Sequence, residues 1–173
     1  SPYAGMQRFW SAYNGEPADG MKFVIPDVTL SWTAGLGAML HNVYFGNNFD
    51  DVNNASGAPP TPDPIFTPGA LESGVEYFWR VDEFDGAATH KGEVWSFTTI
   101  PPIAVGNPNL VGWWKFDEVM GRTVVDHSGY GHHGTIQGDT IWADGYAAGS
   151  LDLTGADNYV VTSYEGITGT NPR

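Results

Sequence analysis

An all-β fold is what this sequence predicts, and three observations predict it. First, 23 glycines and 12 prolines stand among 173 residues, a composition that suits many short strands joined by tight turns rather than long helices. Second, apolar and polar residues alternate in runs of five to seven, the period of a strand with one buried face. Third, aromatics make up 14% of the chain and include seven tryptophans, enough to build a core, so disorder throughout is excluded.

Residues 1–16 carry four aromatics without a clear period and read as an N-terminal arm or the tail of a preceding domain. Pro17-Ala18-Asp19-Gly20 is a turn signal. Val28, Leu30 and Trp32 then alternate with Thr29 and Ser31, giving a strand with one apolar face that residues 33–37 break. His41 to Phe45 form a second strand, closed by Gly46. Residues 47–64 are polar, hold four prolines and read as a long connection, in which Asp50-Asp51-Val52-Asn53-Asn54 predicts a turn of helix. Ile65-Phe66 is a brief strand. Tyr77, Trp79 and Val81 share a face destined for the core, with Trp32 across from them and with Phe78 and Arg80 turned outward. A last strand sets Val94, Ser96 and Thr98 opposite Trp95 and Phe97. About seven short strands over roughly 85 residues are the pattern of a β-sandwich.

The segments VTLSW (28–32), HNVYFG (41–46), LESGVEYFWRV (71–81) and EVWSFTT (93–99) occur in an order that resembles a fibronectin type III-like domain over residues 17–100. The resemblance is nearest to the variant in large secreted proteins of planctomycete-type bacteria, where such domains serve as spacers. It implies that Leu71 and Tyr77, six residues apart, form a tyrosine corner, with the phenol hydroxyl tying its strand to the preceding crossover. Trp32, Leu71, Tyr77, Trp79 and Val81 are then the structural residues.

Residues 101–107, opening with Pro101-Pro102, form a semi-rigid linker. Beyond it, NLVGWWKFDE (109–118), VVDHSGYGHHGTI (124–136), GSLDLTG (149–155) and NYVV (158–161) resemble the N-terminal part of a laminin-G-like, concanavalin A-like jelly roll over residues 108–173. A domain of that type needs two sheets of about six strands, and about five are legible. The expectation is therefore a truncated jelly roll with open strand edges, in a piece of a longer chain.

Twenty acidic residues against seven basic ones leave a formal charge of −13. Nucleic-acid binding is disfavoured, since phosphates require a basic face, and so is adhesion to an anionic membrane. No apolar run approaches the ~20 residues of a membrane span, so membrane insertion is not expected. The absence of cysteine removes disulfides, zinc–thiolate sites and thiol catalysis.

Four sequence features invite a catalytic or metal reading, and each has a plainer one. Glu83-Phe84-Asp85 offers two carboxylates, as glycosidases use, but residue 87 is Ala where a third acid belongs, and a solvated turn at Gly86 explains the pair. Asp126-His127-Ser128 holds triad residues, but neighbours in sequence do not converge on one another as a relay must. A turn accounts for them, with Asp126 and Ser128 capping amides and Gly129, Gly131 and Gly134 at positive φ. His132-His133 point to opposite sides of an extended chain, unlike metal ligands. Asp117-Glu118 reads as polar residues at a strand end. The jelly-roll resemblance implies a structural Ca²⁺, with Asp117, Asp126 and Asp157 as candidate ligands. Sugar stacking requires exposed rings, and Trp95 and Trp114, out of phase with their core faces, are the candidates.

The reading is a non-catalytic, extracellular or cell-surface modular protein for adhesion or glycan binding, with glycans or other surface proteins as partners. Two alternatives stand beside it. One is a structural subunit that self-associates by strand complementation. The other is an accessory region of a secreted glycoside hydrolase.

Overall fold

The computed structural model describes residues 9–164, and the chain divides into two compact units, Ser1–Thr99 and Ile100–Arg173. Its regular structure is almost entirely β, with several sheets packed as sandwiches.

In the first unit, β1 (Tyr13–Glu16), β3 (Leu30–Thr33) and β6 (Ile65–Phe66) form one sheet in the order β1-β3-β6. The facing sheet runs β2-β9-β7-β4-β5, from β2 (Met21–Val24), β9 (Val94–Thr99), β7 (Glu76–Phe84), β4 (Leu40–Gly46) and β5 (Pro60–Thr61). β8 (Thr89–His90) adds to β7 as a short hairpin. Leu30 and Trp32 from one sheet meet Tyr77, Trp79, Val81 and Phe97 from the other, and all six are buried. The alternation of residues 28–32 is what aims Val28, Leu30 and Trp32 inward and leaves Thr29 exposed. Tyr77 accepts a hydrogen bond from the Glu72 amide on its hydroxyl (3.1 Å), and Leu71 packs against the same core.

Three features of this unit differ from the sequence reading. Residues 13–16 of the expected arm are β1, paired with β3; Ala12 is buried in the core and Gly15 lies against the Trp95 and Trp79 rings. Irregular aromatic spacing concealed a strand whose inward positions are held by small residues. Arg80 lies on the outer face as expected but is 1% exposed, because α1 (Phe49–Asn54) covers that face of β4 and β7 and buries its own Val52 there. Glu83 belongs to no solvated turn. It lies within β7, fully buried, and its carboxylate meets His41 Nδ1 at 2.5 Å and accepts from the Gly35 amide at 3.4 Å. Only Asp85 occupies the turn, accepting from the Ala87 and Ala88 amides.

In the second unit, β10 (Thr123–Val124), β11 (Gly134–Gln137) and β14 (Tyr159–Thr162) form an antiparallel sheet in that order. β12 (Ile141–Asp144) and β13 (Gly149–Asp152) pair as a separate hairpin. Val124, Val125 and Ile136 supply its buried apolar residues. The expected linker is partly built into this unit, since Ala104 and Val105 lie directly against Gly129. The rest of the expected arm, residues 1–8, and the expected truncation at Arg173 lie outside the described residues. Among the described residues, no helix is long and apolar enough to cross a membrane.

Candidate functional site

The densest polar organisation in the second unit centres on Asp126, which is fully buried. Its Oδ1 accepts from the Trp113 amide (2.9 Å) and the Ser128 amide (2.9 Å). Its Oδ2 accepts from the Ser128 hydroxyl (2.7 Å) and the His132 amide (3.0 Å). Burial pushes this carboxyl up, but the Ser128 hydroxyl and the three amides outweigh it, and the net shift is downward. One carboxylate thus pins three stretches of backbone: 113, 128 and 132. The Asp126 amide itself donates to His133 Nδ1 (3.1 Å), which requires that nitrogen to be unprotonated. Burial holds the His133 imidazole below its ordinary value, consistent with that acceptor role.

The glycines of this loop do two different jobs. Gly129 has φ +90° and a Cβ there would strike the Ala104–Val105 backbone, so only glycine fits. Gly134 was expected at positive φ but is an ordinary strand residue of β11, and it is glycine because the Val160 side chain of β14 occupies the space.

Around this anchor, aromatic rings reach solvent. Trp113 is 49% exposed and has His127 against it edge-on; the Lys115 ammonium sits 5.7 Å from its ring centre. Tyr130, 43% exposed, lies nearly parallel to His132, with centroids 6.1 Å apart and planes at 14°. Tyr164 follows at 5.0 Å from His132. Hydrogen bonds fix this row, for the Tyr130 hydroxyl donates to the Pro108 carbonyl and His132 Nδ1 bonds the Val111 carbonyl.

The sequence candidates fall differently. Trp114 turns inward and donates Nε1–H to the His132 carbonyl (2.8 Å), and Trp95 packs on Trp79 with centroids 4.5 Å apart; both rings are partly buried supports rather than free platforms. Asp126 has both oxygens engaged as described. Asp117 is exposed, 3.9 Å from the Lys115 ammonium, and Asp157 is exposed near Gly138. Among the described residues, no three His, Asp or Glu side chains gather as metal ligands would, so the three aspartates are not brought together. Glu118, read as a strand-end residue, is 3% exposed, with Oε1 accepting from the Val125 amide. The rings that sequence reasoning passed over are Trp113, Tyr130, His132 and Tyr164. Their signal was present in the D-x-S-G-x-G-x-x-G loop, whose nonglycine positions carry Tyr130 and His132, and in the Trp113-Trp114 doublet, of which a strand exposes one member.

No protein-family model matches the chain, and no curated protein does. Among solved structures, it is similar to an α-L-rhamnosidase from Dictyoglumus thermophilum, at 16% identity and a TM-score of 0.44, with 75% of this chain and 16% of that one covered. The chain spans about a sixth of that structure's length, and no activity is carried over from it.

Proposed function

We propose that this chain is part of a non-catalytic extracellular protein that binds glycans, and that the loop surface anchored on Asp126 is where it does so. The observation that carries the reading is the exposed Tyr130 ring in line with the half-buried His132 and Tyr164 rings, held in place by a saturated buried carboxylate. Pyranose rings present apolar C–H faces that stack on such rings, and a fixed platform binds without spending ordering entropy. The backbone groups and Trp113–Lys115 edge beside it offer polar partners for hydroxyls. The family resemblances read from the sequence, a fibronectin type III-like spacer before a laminin-G-like module, fit an adhesive architecture. The strong acidity and lack of cysteine are compatible with export.

A binding role is favoured over hydrolysis by what the carboxylates do. Asp126 is filled by four hydrogen bonds, Glu83 is sealed beside His41, and Asp85 is occupied by its turn and by His90. None of these three is left to act as an acid or nucleophile on a bound sugar. A glycan array probed with the chain and with Tyr130→Ala tests the reading. The expected result is a restricted set of bound glycans whose signal falls by about tenfold in the variant, the scale of one lost stacking contact. Absence of binding by the folded chain, or equal binding by Tyr130→Ala, would reject the site.

A further inference from the structure

The first unit carries a feature that the glycan-binding loop of the second does not explain. Arg80 and Asp82 form a buried bidentate ion pair on the outer face of the sheet, Nε to Oδ1 at 2.8 Å and Nη2 to Oδ2 at 3.0 Å. Burying such a pair is costly, and apolar replacements often serve stability as well or better. Here both partners are also spent on backbone. Arg80 donates to the carbonyls of Val52 (2.6 Å), Asn53 and Ala55 (2.8 Å) at the end of α1. Asp82 Oδ1 accepts from the Gly92 amide at 3.0 Å. One ion pair therefore fixes the end of α1 and the segment before β9 relative to each other.

Those two segments are the walls of a cleft of about 270 Å³ lined by Phe49, Asn53, Lys91, Gly92, Glu93 and Val94. Phe49 is 48% exposed and stands edge-on against Phe78, with centroids 5.8 Å apart. Lys91 Nζ donates to Asn53 Oδ1 across the cleft (3.1 Å) and keeps further N–H donors free for a ligand. Glu93 adds an exposed acceptor. Gly92 forms the floor, and a side chain there would collide with the Val81 carbonyl. On the other side of α1 lies a larger cleft, of about 380 Å³. Of its two aromatic residues, Tyr44 has its face taken by the Arg80 guanidinium at 4.3 Å, and Phe45 is stacked into the core on Tyr77, with centroids 5.2 Å apart. Only the smaller cleft joins a free aromatic ring to donors and acceptors.

We infer that this cleft is a second ligand site, taking a single neutral pyranose ring, independent of the Asp126 surface. Phe49 supplies the stacking face, Asn53 and Lys91 donate to ring hydroxyls, and Glu93 accepts from them. The volume lies just below the ~300–1,000 Å³ of sites for drug-sized molecules, which fits one ring rather than a chain. A carboxylated sugar is disfavoured, since Glu93 offsets the Lys91 charge within the cleft and the chain as a whole is strongly acidic.

Amide-resolved NMR of the 173-residue chain, titrated with methyl β-D-glucopyranoside and in parallel with D-glucuronate, tests this. The expected result is saturable shifts at Phe49, Asn53, Lys91 and Gly92 with the methyl glycoside, weaker with glucuronate. Affinity should fall about tenfold in Phe49→Ala and be retained in Phe49→Tyr. Lys91→Gln, at an exposed position away from the core, should weaken binding while leaving the spectrum of the free protein otherwise unchanged; it guards against loss of fold in the Phe49 variant. Shifts confined to residues around Tyr130 and His132 would overturn this second site and leave the first standing. No saturable shift at Phe49, Asn53 or Gly92, or glucuronate bound as tightly as the glycoside, would also overturn it.

Discussion

Asp126 shows how one side chain converts sequence into a surface. Deleting it in Asp126→Ala leaves the amides of Trp113, Ser128 and His132 and the Ser128 hydroxyl without their acceptor. Several buried donors at about 1–3 kcal/mol each exceed what a small unit holds in reserve, so loss of native structure in residues 108–164 is expected. Amide hydrogen exchange would read this as lost protection there, with protection in residues 13–99 retained. The same group sets an acid limit. Its folded pKa lies below the ordinary 3.8, so its contribution is complete above that value and is lost as pH falls through the folded pKa. His133 adds a second window. Its pKa is lowered in the folded state from 6.5, so the unfolded chain binds the extra proton first, and stability is lost as pH falls below about 6.5. Burial lowers the His127 imidazole in the same direction, so protection in the second unit should decline in two steps on acidification, and His133→Gln should diminish the upper one. A single step near pH 4 in the wild type would contradict the acceptor role of His133. Tyr77 makes a smaller contribution. Tyr77→Phe removes the acceptor for the Glu72 amide and should cost about 1 kcal/mol, measurable by denaturant unfolding.

At the scale of elements, β7 carries most of the instruction. Its inward face runs Tyr77, Trp79, Val81, and that alternation was legible because apolar residues at spacing two leave few other readings. The helical turn at 49–54 was legible as well, from an oxygen-rich run with one apolar residue, and Asn48 caps it by accepting from the Asp51 amide. What stayed hidden was the covering of one element by another. Alternation says that Arg80 lies on the face opposite Trp79, and it does; it does not say that α1 lies over that face. The same holds for Glu83, which continues the inward series of β7 as its fourth member and is tolerated only because His41 pairs with it directly across β4. Arg80 and Glu83 were read as solvated because charge is usually exposed, and their burial depends in part on partners far away in sequence, the Val52 carbonyl and His41. Arg80→Ala should cost about 3–5 kcal/mol, since Asp82 would be left buried without its cation, and should release α1. Replacing Arg80 and Asp82 together should cost much less than the Arg80 change alone. An equal cost for single and double variants, in a double-mutant cycle by chemical denaturation, would contradict the pairing.

Across the whole molecule, the division into two β units followed from turn signals and strand spacing, while the candidate site did not follow from them. Asp126 and its glycines read as a turn, and a turn is what they build, because that chemistry is local. The rings of the proposed site were not among those singled out by strand phase. Trp95 and Trp114 were chosen by phase within their own strands, yet exposure of a ring depends on what packs beside it, and those two are claimed by Trp79 and by the His132 carbonyl. Of the rings left free, Tyr130 comes from a bend that has no phase to read, and Trp113 precedes the single bridge residue Trp114, too short a pairing to set a phase. The claim that matters most is that this surface holds a glycan without cleaving it. Calorimetric titration of the chain with its best array glycan, followed by mass spectrometry of the recovered sugar, tests both halves at once. The expected result is saturable binding that Tyr130→Ala weakens about tenfold, with the glycan recovered at its starting mass. Shortened products from the wild-type chain, or binding indifferent to Tyr130, would contradict it.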